Sequence, residues 1–427
     1  MPFTPGAEAT DQEALTDAGR MAAIVGAGPA GAAVSETLSA AGVAHDLFDE
    51  QPRAGGNIGR RRFAAPEAPP EGVPLCRLHA GARVLRVSPL REVEWDDGAR
   101  LNRRRYDAVF LCAGAYDGML PREPRHETWS SAGALQALLK GQGVVPEGRV
   151  LIAGAGPFLH VVAADLARAG ARIVAVADAL PLSAYARLLP HARWDGVKTM
   201  FAAQAAMRRA GTSVRFGARI ARLGRDTATL HDGRTIAFDR VGVSDFFAPQ
   251  TQLARTAGCA QTWSATGRYY CTPVDSDCRS SVSGVFVCGE GAGVRGGPHA
   301  RLSGLVAARA FLGMERAGLQ RRVRRLARFG AALEAAMAAC ESRPADDTIA
   351  CACERVPVAG VRQAVAQGLE DLSSIKVVTR CGMGPCQGRY CEPVVGRLIA
   401  ETGRAPRAPL NQKALARPLG VKELIGG

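Results

Sequence analysis

The sequence predicts an α/β chain with two Rossmann-like dinucleotide-binding domains and a small, cysteine-bearing helical unit at its C-terminal end. Three observations predict it. Residues 21–50, "MAAIVGAGPAGAAVSETLSAAGVAHDLFDE", read as an apolar strand, a glycine turn, a helix with an Ala-rich face and a second strand ending on acids. Residues 148–178, "GRVLIAGAGPFLHVVAADLARAGARIVAVAD", repeat that order. Five of the twelve cysteines crowd the last quarter of the chain, beyond a polar, Pro-containing hinge, "ESRPADDT". A chain of 427 residues, 47% hydrophobic, can bury more than one core.

The first βαβ unit carries G-A-G-P-A-G, with Gly26, Gly28, Pro29, Ala30 and Gly31 on the turn. Gly26 permits the tight turn, Gly28 lets the backbone approach a pyrophosphate, and Gly31 lets helix and strand pack closely. The strand that follows ends at Asp49 and Glu50, where a ribose hydroxyl would lie. Asp49 is the better candidate, because Gly55–Gly56 follows at a spacing seen in flavin enzymes; Glu50 is the runner-up. A dinucleotide, FAD by this reading, is expected here.

The second unit reads G-A-G-P-F-L, and Leu159 replaces the third glycine. That bulk weakens the case for NADH as electron donor and leaves open whether a second nucleotide binds there. A third motif, "GVFVCGEGAG" over 284–293, is a strand ending in Gly289-Glu290 before a further helix. In flavoproteins with two dinucleotide-type domains, an Asp at that point takes the ribityl hydroxyl; the longer Glu290 can accept the same bond. His299 opens the next helix, with a capping or surface role expected.

These readings divide the chain as follows: a tail over 1–19, an FAD-type domain in two pieces (20–125 and 236–315), and a second Rossmann-like domain over 126–235. A helical linker over 316–345 then leads to the cysteine-bearing domain, 346–427. Strands are expected near 83–94, 106–113, 213–216, 228–231 and 234–237, and helices near 131–141, 183–210 and 316–341.

Composition excludes several classes. The formal charge is +14, carried by arginine with only five lysines, as a GC-rich genome tends to produce. Aromatic interleaving for base stacking is missing, so no nucleic acid is expected as partner. The longest uncharged apolar run, from Val150 to Asp165, is too short to span a bilayer, so no transmembrane segment is expected. The first twenty residues read as a polar tail rather than a targeting segment. Twelve cysteines in such a chain argue for a reducing, cytoplasmic setting rather than a disulfide framework. Residues 126–235 hold no cysteine, and "NIGRRRF" after the double glycine lacks the thiols of a disulfide reductase.

All seven histidines lie at or before His299, so a metal site beyond residue 340 must rest on thiolates. Cys351 and Cys353 form C-x-C; thirty-two residues on, Cys386 and Cys391 form C-x4-C. Four thiolates suit zinc or an iron–sulfur cluster. Two close pairs, with Gly382, Gly384 and Gly388 free to donate amides to sulfur, favour [2Fe–2S]. Helices are expected to open directly after each pair and face their dipoles to the cluster. Cys381, five residues before Cys386, fits the paired arrangement least and is the expected spare.

The segments "CACERV", "KVVTRCGMGPCQGRYC" and the "PL" at 418–419 resemble the bacterioferritin-associated-ferredoxin type of [2Fe–2S] domain. In its C-x4-C form that domain ends the alpha (FAD/[2Fe–2S]) subunits of heteromeric amino-acid dehydrogenases of the D-hydroxyproline dehydrogenase, opine oxidase and hydrogen cyanide synthase type. The likeness extends to "GAYDGMLP", "AGALQALLK" and "AGAGPFL".

It implies a two-dinucleotide-binding flavoprotein fold with a C-terminal [2Fe–2S] domain, ligated by Cys351, Cys353, Cys386 and Cys391. FAD would sit on Gly26, Gly28, Gly31 and Asp49, with Gly56, Ala113, Gly114, Gly289 and Glu290 around it. A second nucleotide, or an FMN at a subunit interface, is left open. The implied partner is a smaller FAD-containing catalytic beta subunit; a small ferredoxin-like third subunit is a further candidate. The beta subunit would oxidise the substrate amine, so no catalytic residue is assigned to this chain. Three departures stand out: Ala352 replaces the family's arginine, Gly289-Glu290 its Gly-Asp, and "CAG" at 112–114 its "ATG". The competing readings are a stand-alone NAD(P)H-dependent FAD reductase with a [2Fe–2S] domain, and a non-enzymatic metal-binding adaptor.

Overall fold

A computed structural model describes residues 19–59, 75–122 and 126–417. The tail before residue 19, the basic run Arg60–Arg62 and the "PL" at 418–419 lie outside the described residues. Two five-stranded parallel sheets dominate. The first runs Val285–Val287, Ala108–Leu111, Met21–Val25, Ala44–Asp49 and Cys76–Ala80. The second runs Ser213–Phe216, Arg172–Asp178, Arg149–Gly154, Arg240–Ser244 and Trp129–Ser131. The central strands bury apolar runs on both faces (Ala22–Val25, Ala108–Leu111 and Val150–Ala153), as parallel strands covered by helices must.

The expected return to the first domain at residue 236 falls too early. Strand Arg240–Ser244 pairs in parallel with Arg149–Gly154 inside the second sheet. Only after it does the chain cross back, through Phe246–Pro249 paired antiparallel with Ala115–Gly118. Antiparallel meanders attach to each sheet, at 83–105 and 220–237. Helix Ala317–Ala338 then leads to the C-terminal unit.

That unit is a short hairpin, Ile349–Cys351 with Val356–Pro357, and three helices, Val358–Ala366, Leu372–Thr379 and Glu392–Ala400. Val361, Val365, Ile375, Val394 and Leu398 fill its centre, and the same apolar cluster takes in Leu120, Phe246, Tyr269 and Tyr270 from the body of the chain. Polar contacts lock the seam. Arg255 donates bidentately to Glu392, at 2.8 and 2.8 Å, with both side chains buried. Arg397 pairs with Glu341, donates to the carbonyls of Arg268 (2.6 Å) and Gly267 (3.3 Å), and lies 3.8 Å from the Phe246 ring centroid.

Breaking a buried pair strands a charge without its partner. Arg255→Met is therefore expected to destabilise the chain by about 3–5 kcal/mol. The double change Arg255→Met/Glu392→Leu should recover most of that loss, and thermal unfolding of the three proteins checks it.

Candidate functional site

One cleft collects eleven of the twelve residues expected at the dinucleotide site: Gly26, Gly28, Pro29, Ala30, Asp49, Glu50, Gly56, Ala113, Gly114, Gly289 and Glu290. Gly31 lies beneath it, where any Cβ would run into the Gly26 carbonyl oxygen. Across the cleft floor, a Cβ on Gly56 would come within 2.9 Å of the Gly28 Cα. Glycine is therefore required at 56, where the backbone is also left-handed (φ 57°), and its absence of a side chain leaves room for a backbone-cradled phosphate. Gly28 caps helix Pro29–Ala40, and Gly296 caps helix Gly297–Phe311; both N-termini favour a pyrophosphate's charge.

The acids divide the work. Asp49 accepts from the amides of Ala27 and Gln51, both at 2.8 Å, and so fixes the glycine turn while lining the cleft. Glu50 pairs with Arg417. Burial raises the Glu290 carboxyl above its usual range. Cys112 and Cys288 also line the cleft; Cys288 hydrogen-bonds to Cys112 and Cys278, which holds its thiol far above the ordinary range and out of thiolate chemistry.

His299 departs from expectation. It neither caps its helix nor sits at the surface: it is 9% exposed, with Nδ1 unpartnered. Burial, reinforced by the Arg295 charge, lowers its pKa to about 4.

The second glycine turn has a different fate. Asp178, fully buried, is saturated: Oδ1 accepts from the amides of Gly156 (3.0 Å) and Leu180 (2.9 Å), and Oδ2 meets His160 Nε2 (2.8 Å) and the Tyr185 hydroxyl (2.6 Å). Met337, near the end of helix Ala317–Ala338, lies on the turn, its Sδ 3.1 Å from where a Gly156 Cβ would sit. Ala155, Ala179, Leu180, Met337 and Cys340 pack into one apolar cluster over that turn. Met337 and Cys340 cover the turn and leave beside it a small cavity lined by Gly154, Ala155, Ala179 and Arg219.

The C-terminal thiols gather. Cys353 and Cys386 lie with sulfurs 3.6 Å apart, Cys353 exposed and Cys386 half-buried. Gly384 lets the loop cross Cys353, since a Cβ there would collide with the Cys353 Cβ. Cys351, Cys381 and Cys391 are buried with all three sulfurs within 4.8 Å of one another. The Cys381 and Cys391 thiols and the amides of Gly382 and Glu354 donate to Cys351, holding its pKa far below the thiol range.

Two expectations are corrected here. Cys381 does not stand apart: Arg380 in the left-handed region (φ 66°) and Gly382 (φ 93°) turn the chain so that its thiol faces Cys351. Of the helices, only Glu392–Ala400 opens on a cysteine, with Cys391 at its N-cap; Val358–Ala366 starts after the turn 352–355 and the strand Val356–Pro357.

The spacing of cysteines also concealed how near the two sites are. Arg389, inside the thiol loop, lines the dinucleotide cleft, and its carbonyl accepts from the Tyr116 hydroxyl. Ala416 and Arg417 line the cleft too, with the Ala416 amide on the Leu85 carbonyl at 2.7 Å. The only sequence signal for this was an arginine among the loop's glycines.

A dinucleotide cleft joined to a thiol cage defines an oxidoreductase that carries a flavin and an iron–sulfur centre. The chain belongs to the pyridine nucleotide-disulphide oxidoreductase family, matched over residues 20–309, and its residues 349–401 match the BFD-like [2Fe–2S] binding domain. FAD and a [2Fe–2S] cluster are its cofactors, and the glycine cradle and the thiol donor set fit them.

Its relatives include an opine oxidase subunit of Rhizobium meliloti (strain 1021), 28% identical over 89% of this chain and 92% of the relative. Hydrogen cyanide synthase subunit HcnB of Pseudomonas protegens is also 28% identical, over 91% of this chain and 95% of the relative. These bear out the resemblance read from the cysteine segments. Among solved structures, L-proline dehydrogenase from P. horikoshii superposes with a TM-score of 0.67 at 17% identity, over 95% of this chain and 79% of that one. Reduced Bacillus anthracis CoADR-RHD gives 0.51 at 14%, over 69% and 57%. At those identities the likeness is one of fold. Among the described residues no helix is long and apolar enough to cross a membrane.

The His299 shift carries a pH dependence. An unfolded histidine takes up its proton near pH 6.5, before the folded one does near 4. Stability present above pH 6.5 is therefore lost as the pH falls toward 4, by about 2 kcal/mol at pH 5. Urea unfolding at pH 7 and pH 5 should show that loss, and His299→Leu should reduce it.

Proposed function

We propose that this chain is the electron-transfer subunit of a heteromeric amino-acid or opine dehydrogenase, whose amine is oxidised on a smaller partner flavoprotein. Gly26, Gly28, Gly56 and Gly289 would hold the FAD, and Cys351, Cys353, Cys386 and Cys391 the [2Fe–2S] cluster. When bound, FAD exchanges electrons in twos or singly and the cluster singly, so the pair converts two-electron into one-electron transfer.

The observation that carries this reading is the closed second turn. A reductase fed by NAD(P)H needs that crevice, and here Met337 lies on Gly156 while Asp178 is saturated by its neighbours. Electrons must then enter elsewhere, which favours a partner subunit over the stand-alone reductase. The first cleft is equally unsuited to amine chemistry. No histidine or lysine lines it among the described residues, Asp49 is engaged by amides and Glu50 by Arg417, which leaves the buried Glu290 as the one further acid there. The relatives, each named for one subunit of a larger enzyme, point the same way.

Arg389 supplies the coupling. It belongs to the thiol loop and lines the FAD cleft, so the loop that would hold the cluster is also a wall of the flavin site. The partner's substrate class, amino acid or opine, rests on the relatives rather than on this chain's own side chains.

The isolated chain is expected to show flavin and iron–sulfur absorption, to ignore NADH in an anaerobic cuvette, and to oxidise no opine or D-hydroxyproline until the partner is co-expressed. Steady amine oxidation by the chain alone, or rapid bleaching of its flavin by NADH, would overturn the reading.

A further inference from the structure

We propose that Cys381 is an interchangeable fifth ligand of the [2Fe–2S] cluster, able to replace Cys391 on the more buried iron. The inference rests on the cluster itself and on the four-thiolate set above, and not on which substrate the complex oxidises.

The five thiols fall into a pair and a triad. A tetrahedral thiolate site with metal–sulfur bonds of about 2.3 Å sets two ligand sulfurs about 3.8 Å apart. Cys353 and Cys386, at 3.6 Å, are already spaced as two ligands of one iron. The other iron needs two thiolates, and three stand ready within 4.8 Å of one another. Cys351 belongs to the C-x-C pair, and the sulfurs of both Cys381 and Cys391 lie within 4.8 Å of its own. Cys381 and Cys391 flank it as alternatives.

A buried cysteine is more often a small apolar filler than a ligand. Filling does not explain how Cys381 is held. Its amide is tied to Thr379 Oγ1 at 3.1 Å. A left-handed arginine precedes it and a left-handed glycine follows, and together they aim the thiol at Cys351. The left-handed Arg380 also ends helix Leu372–Thr379, so this cap sets Cys381 directly after the helix.

The outer iron has no such reserve: no third thiol is grouped with Cys353 and Cys386 among the described residues. The cluster is thus insured on its buried side only. Loss of Cys391 should be tolerated, and loss of Cys386 should not.

The test uses the full chain, purified anaerobically, with iron and sulfide analysis, visible absorption, and electron paramagnetic resonance after dithionite reduction. Flavin content serves as the check on folding. Cys381→Ser should keep its full iron and a native spectrum. Cys391→Ser should retain at least half of the iron with shifted g-values, while Cys381→Ser/Cys391→Ser and Cys386→Ser should each fall below a tenth. The proposal is overturned if Cys391→Ser is as empty as the double variant while keeping its flavin, or if Cys381→Ser alone loses the cluster. Cys391→Ala, reconstituted with iron and sulfide, repeats the question without a serine oxygen as ligand. Should neither Cys391 variant accumulate, that also counts against the proposal, because Cys381 is then no substitute.

Discussion

The contact on which the rest of the molecule depends is the buried pairing of Arg255 with Glu392. Glu392 is the residue after Cys391 and opens the last helix, so the pair fixes the thiol loop against the body of the chain. The same carboxylate accepts the Leu410 amide at 2.9 Å, which ties in the segment leading to the cleft. A buried ion pair contributes little net stability, because its desolvation offsets most of the attraction. Its value here is positional: it holds the C-terminal unit where Arg389 reaches the glycine-lined cleft.

The two glycine turns show how one motif reaches two ends. In both, the acid at the end of the second strand binds backbone amides of its own turn: Asp49 through Ala27 and Gln51, Asp178 through Gly156 and Leu180. They differ in what stands above. Over the first turn Gly56 keeps the space clear for a ligand. Over the second, Leu159 is fully buried, His160 and Tyr185 consume the remaining acceptor positions of Asp178, and Met337 covers Gly156. The second unit keeps the architecture and gives its crevice to packing.

The parts legible in the sequence were those set by local geometry. Gly26, Gly28 and Gly31 announce themselves because a backbone turn and a close helix–strand contact admit nothing larger, and the order strand–turn–helix–strand follows from apolar period alone. Ala113 and Gly114 came from the resemblance rather than from local geometry, and they line the same cleft as Gly289 and Glu290, each lying just past the end of a strand. What was hidden depends on distant parts of the chain. Nothing near Gly156 announces Met337, which comes from a helix far along the sequence. The left-handed turn at Arg380 is invisible to cysteine spacing, so Cys381 read as a spare when the fold brings it to Cys351. The strand Arg240–Ser244 joins the second sheet through pairing with Arg149–Gly154, a choice that its own apolar residues do not specify.

The segment Ala416–Arg417 lies against Leu85 and Glu50 at the rim of the glycine-lined cleft. In chain order it comes after every other residue that lines the cleft. Synthesis therefore completes the other walls of the cleft before this part of its rim, and domains fold as they emerge. Docking of this strap requires the thiol-bearing unit to have taken up its place. The strap thus ties the far end of the described chain back to its beginning, with Arg417 on Glu50 and Ala416 on Leu85.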